Sequence, residues 1–166
     1  MKNWLTIALA GTLLTGSLVS CDKDETKATI TPSSAITATS TVSSVTLLQA
    51  NASSNAIGFN WTPVTFAMSN SAQTTSPEPT YYIQFDEQQD GFGYVNIQLE
   101  AGAGPSKFFT VQELNARLVQ AGLTPGVAKQ LYARVVAGFG TAATGDQHTF
   151  ASEPIAVTVT PYKECL

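Results

Sequence analysis

The chain has 166 residues and carries 8 Lys and Arg against 12 Asp and Glu, a formal net charge of −4. That balance repels phosphate backbones and sets nucleic-acid binding aside. The length suits one domain with its own core, and two cysteines allow one disulfide at most.

Residues 1–20 read as a secretion signal. Lys2 precedes an apolar run from Trp4 to Leu14, and small residues lead on to Cys21. The run is interrupted by Gly and Thr and falls short of the roughly 20 apolar residues a membrane-spanning helix needs, so it is excluded from the fold. Leu18-Val19-Ser20-Cys21 resembles a lipobox, the cleavage site of the bacterial lipoprotein signal peptidase. The resemblance implies cleavage before Cys21, a diacylglyceryl thioether on its sulfur and acylation of the freed amine. Several chains, each contributing about 0.8 kcal/mol per buried CH₂, hold a protein on a membrane where one chain is marginal. Asp22-Lys23-Asp24-Glu25 resembles the export signal that sends lipoproteins to the outer cell surface of Gram-negative bacteria; the plainer reading is a solvated tether. Cleavage leaves 7 basic residues against 12 acidic, and 7 − 12 gives −5. Cys165 is then the one remaining thiol, so the fold rests on burial alone, and a redox role lacks a second thiol or an activating base.

Residues 21–44 are expected to be the lipidated N-terminus and a flexible linker, rich in Thr, Ser and Ala with few large apolar residues. From residue 45 apolar and polar residues alternate with the period of half-buried strands. The first such segments are Val45 and Leu47, then Ile57, Phe59 and Trp61 ending at Pro63. Tyr81, Ile83 and Phe85 follow, then a turn over Asp86 to Gly93, then Val95, Ile97 and Leu99. The stretch from Phe66 to Pro79 is polar and aperiodic and reads as a surface loop. Thr110-Val111-Gln112-Glu113 has the form of a capping box. Val111, Leu114, Leu118 and Val119 fall on one helical side after it, and Gly122 is a stop signal. Leu131 to Ala137, and Ile155, Val157 and Val159 before Pro161, complete six strands. The pattern predicts an all-β, immunoglobulin or fibronectin-III-like β-sandwich with one short inserted helix, over residues 45–162, with a tail at 163–166.

The inventory for chemistry is thin. His148 is the single histidine, in a Gly/Thr/Asp-rich loop, where solvation is the ordinary state. Zinc wants several His, Cys or carboxylate ligands together, and the sequence offers no such set. Asp86 to Gly91 clusters oxygens but lacks the alternating ligands of a calcium loop, and its Asp90-Gly91 step suits a strand turn. Gly102, Gly104 and Pro105 mark a loop, with no phosphate-binding pattern. No catalytic residue, metal or cofactor is expected, and the protein reads as a non-enzyme. Trp61 shares the inward parity of Ile57 and Phe59, whereas Tyr82, Tyr94, Phe92 and Phe66 are the aromatics expected at the surface, for a glycan or a protein partner.

The strings GFNWTP, YYIQFDE, KFFTVQELNARLVQAGL, LYARVVA and SEPIAVTVTPY, in that order, resemble the N-terminal immunoglobulin-like domain of the SusE family of outer-membrane polysaccharide-utilisation lipoproteins. The resemblance implies a surface-exposed lipoprotein, membrane-bound through its lipid, working beside a SusC-like transporter and a SusD-like binding protein. In that family the sugar-binding modules follow this domain. Here Pro161-Tyr162 is followed only by Lys163, Glu164, Cys165 and Leu166, so no glycan-binding residue carries over. A non-catalytic interaction or spacer domain is the expected role. The alternatives are a stand-alone carbohydrate-binding lipoprotein and a truncated remnant.

Overall fold

The computed structural model describes residues 29–69, 78–93, 97–139 and 150–164. In chain order these form β1 (Ile30–Pro32), β2 (Ala38–Ser40), β3 (Ser44–Thr46), a 3₁₀ turn (Gln49–Asn51), β4 (Asn55–Trp61), β5 (Phe66–Met68), β6 (Thr80–Asp86), β7 (Ile97–Gly102), β8 (Ser106–Thr110), α1 (Val111–Gln120), β9 (Lys129–Gly138), β10 (Phe150–Ala151) and β11 (Ile155–Thr160). The large sheet runs β3-β11-β9-β6-β7, with β10 also on β9; the small sheet is β2-β4-β8, and β1 pairs with β5. Among the described residues the β3–β11 ladder is parallel and the others are antiparallel.

Period-2 alternation explains how the sheets face each other. Ile57, Phe59 and Trp61 of β4 and Phe109 of β8 point inward from the small sheet. Tyr81, Ile83, Phe85, Leu131, Ala133, Val135, Val157 and Val159 meet them from the large one, all within one core. Phe59 joins the layers, lying edge-on to Phe85 of the large sheet at 5.9 Å and to Phe109 at 6.5 Å between ring centroids. The architecture is the expected all-β sandwich, and Trp61 is buried in it as its parity required.

The helix starts and stops where its local chemistry dictates. The Thr110 hydroxyl accepts from the Glu113 N–H at 3.2 Å, and a Glu113 carboxylate oxygen accepts from the Thr110 N–H at 2.8 Å and its hydroxyl at 3.0 Å. At the far end Gly122 takes φ +95°. Its N–H bonds the Val119 carbonyl while the Leu123 N–H reaches Leu118, a double closure that favours glycine. Val111, Leu114 and Leu118 are buried, and the helix packs on β4, β7 and β8 as the chain crosses from the small sheet to the large.

The hydrogen bond from the Thr110 N–H holds the Glu113 carboxyl below its ordinary value of 4.5, helped by the Thr110 hydroxyl and the Lys107 charge and opposed by partial burial. A group depressed in the folded state contributes stability above its unfolded pKa, and that contribution is lost as pH falls through the folded value. Thermal melts from pH 6 down to the acid limit are therefore expected to show Glu113→Gln with a shallower loss of Tm below about pH 4.5 than the parent. Parallel profiles would show that the cap does not titrate with folding.

Four expectations are corrected. Residues 29–44, read as linker, supply β1 and β2 and place Ile36 in the core. The stretch after Phe66, read as loop, opens with β5. Phe66, expected at the surface, is 2 % exposed and packs on Phe139 at 4.8 Å and Phe150 at 5.3 Å. Residues 106–110 and 150–151 add two further strands, β8 and β10, to the six expected. Val95 lies outside the described residues, and β7 starts at Ile97.

Candidate functional site

The outward face of the large sheet carries the most organised polar cluster among the described residues. Register makes it: Gln84 on β6 lies opposite Gln98 on β7 and Arg134 on β9, so three outward side chains meet in one row across three strands. The Gln84 amide donates to Gln98 Oε1 at 2.9 Å, and Arg134 Nε donates to Gln84 Oε1 at 3.0 Å. Gln84 is only 3 % exposed, with its amide nitrogen and oxygen both engaged, so it acts as a fixed spacer that sets the other two.

A loop completes the row. Asp86 ends β6, and its carboxylate accepts from the Gln88 N–H at 2.8 Å and the Phe92 N–H at 3.1 Å, curling the chain back over the sheet. A side chain at Gly91 would collide with that carboxylate, so glycine is needed there for space. Phe92 is held at φ +43°, in the left-handed region, and its ring lies 4.1 Å from the Arg134 guanidinium carbon. Backbone strain in a bulky residue persists only where its surroundings over-determine it; here the Asp86 acceptor and the guanidinium stack do so. Burial lowers the Arg134 pKa and the Asp86 charge opposes that, but guanidinium stays protonated at any physiological pH. Tyr82 stands half-buried on β6 opposite Glu100, and Tyr132, hydrogen-bonded to Gln130 at 3.3 Å, faces Asp86. The exposed Lys129–Glu87 pair at 2.8 Å adds little at a solvated rim.

Amides and a guanidinium donate, accept and stack; they do not shuttle protons near neutrality. Among the described residues no three or more His, Cys, Asp or Glu side chains are grouped to hold a metal ion, and no helix is long and apolar enough to cross a membrane.

Of the aromatics expected at the surface, Tyr82 and Phe92 flank this row, Phe66 is in the core, and Tyr94 lies outside the described residues. So do His148, Cys165, Cys21, the lipobox residues Leu18, Val19 and Ser20, and the acidic tether Asp22, Lys23, Asp24 and Glu25. Gln84, Gln98 and Arg134 were not singled out from sequence; their outward parity was readable, their meeting was not.

A β-sandwich domain with one rigid, hydrogen-bonding outer face is the class these features define. The chain belongs to the SusE outer membrane protein family, whose model matches residues 23–136, from the acidic tether into β9. No curated protein and no solved structure matches it.

Proposed function

We propose that this outer-membrane protein is a surface-displayed lipoprotein, anchored through Cys21, that serves a polysaccharide-utilisation system as a non-catalytic interaction and spacer domain beside a SusC-like transporter and a SusD-like binding protein. The Gln98–Gln84–Arg134 row carries this reading. Binding surfaces gain from groups already fixed in place, because little side-chain freedom is then lost on contact, and arginine over an aromatic ring is a recurrent anchor. Direct glycan binding is the second reading, favoured by Phe92 and Tyr82 beside a planar amide row.

Capture from detergent-solubilised outer membranes tests both. The full chain is expected to retain SusC- or SusD-like proteins, and Arg134→Ala to weaken that retention about tenfold. Unchanged retention would remove the sheet face from the reading; saturable binding to a glycan panel, lost in Arg134→Ala, would move it to the second. In the same preparations Cys21→Ala should leave the membrane fraction, and persistence there would mean that lipid on this residue is not the anchor.

A further inference from the structure

The strand by which the chain enters the large sheet and the strand by which it leaves lie side by side and point the same way. β3 and β11 pair with Ser44 opposite Thr158 and Thr46 opposite Thr160. The ladder extends past both ends of β3: the Thr158 N–H donates to the Ser43 carbonyl at 2.9 Å, and the Leu47 N–H to the Thr160 carbonyl at 2.9 Å. Leu47, Val157 and Val159 are buried, so neither strand can slide without withdrawing side chains from the core. Past β11 the exit is clasped. The Gly126 N–H donates to the Pro161 carbonyl at 2.8 Å. Asn115 of α1, fully buried, accepts from the Tyr162 N–H at 2.8 Å and donates to the Tyr162 carbonyl at 3.1 Å.

We propose a further function for this domain: it bears tension along its own chain, and the β3–β11 pair is the element that carries the load. Tension through the residues before β3 draws that strand toward its Ser44 end, and tension through the residues after β11 draws the other toward its Thr160 end. Since the strands are parallel, the two pulls oppose each other along one axis. Every bond of the ladder is then strained at once and must fail at once. An antiparallel pair of entering and leaving strands would instead open from one end, one bond after another. The clasp at Pro161 and Tyr162 sends force from the C-terminal side into α1 and the turn at Gly126, which keeps β11 from being peeled at its tip. On the N-terminal side the three-residue ladders of β1 and β2 come first on the force path and give way first. Resistance to force depends on the unfolding barrier, not on equilibrium stability, so this property is separate from how stable the domain is. It also goes beyond the interaction role proposed above and does not depend on which partner meets the sheet face.

Single-molecule force spectroscopy on the full chain tests it, with Cys21→Ser and Cys165→Ser to remove other thiols and Leu48→Cys to add one attachment point. Leu48 is 52 % exposed and lies two residues past β3, beside the exit of β11. The same protein is pulled first by its two ends and then between position 48 and its C-terminal end. The second pull opens the same strand pair from its tip, bond by bond. A several-fold higher unfolding force end to end is expected. Equal forces, or a higher force in the second arrangement, would overturn the proposal. Because one protein serves both arrangements, a change in stability cannot produce the difference.

Discussion

Replacing Asn115 with alanine is expected to lower the domain's stability by about 3 kcal/mol, since a buried donor or acceptor left without a partner costs about 1–3 kcal/mol. Asn115 is fully buried, and its amide meets the Tyr162 N–H at 2.8 Å and the Tyr162 carbonyl at 3.1 Å. It copies the pairing of a neighbouring strand at a point where β11 has already ended. Truncation strands both backbone groups of Tyr162 in a half-buried site. Asn115→Asp should be at least as damaging, because it keeps an acceptor for the N–H but sets a carboxylate against the Tyr162 carbonyl. Denaturant titration reads the effect; a loss under about 0.5 kcal/mol for Asn115→Ala, the range of ordinary surface substitutions, would mean that water replaces the clasp.

Phe59→Ala should cost about 4 kcal/mol, within the range for emptying a core aromatic site. The ring is 1 % exposed and is the shared partner of Phe85 and Phe109, so its removal opens a void where the two sheets meet. Phe108→Ala is the matched control. Phe108 neighbours Phe109 in sequence but has the opposite parity, is 48 % exposed, and covers the bare backbone of Gly58. Its loss should remain below about 1 kcal/mol. Comparable losses from the two substitutions would contradict the inward–outward assignment of β4 and β8.

The sandwich was readable wherever several inward residues follow one another at period 2. Ile57, Phe59 and Trp61 do so, and Pro63 lies just past the last residue of β4. The helix was readable because its signals are local: a capping box, a buried stripe and a glycine stop lie within thirteen residues, 110–122. β1, β2 and β5 were not, since each is three residues long, too short to show a period. Composition spoke for linker and loop at those places, and the pairing of Ile30 with Met68 overrode it. β8 escaped for another reason. Its two adjacent phenylalanines give no alternation, although one is buried and the other exposed.

The candidate site was half legible. The turn from Asp86 to Gly91 and the outward tyrosine at position 82 were read correctly from residue types and parity. The row itself joins residues 84, 98 and 134, and contact between positions 50 apart depends on strand order and register. A single sequence encodes these only through the whole packing problem. The same holds for Asn115, whose partner is 47 residues away. From sequence it is one polar residue in a helix; in the fold it fastens the chain's exit.

The pairing of β3 with β11 also governs when the domain can form. Its partners are separated by more than one hundred residues of sequence, and contacts of such range make folding slow. β6, β7 and β9 can pair with one another first, but until β11 joins, β3 lacks its ladder and the large sheet stops at β9. With the first strand of the large sheet set against the last, that sheet is complete only when nearly the whole chain is present.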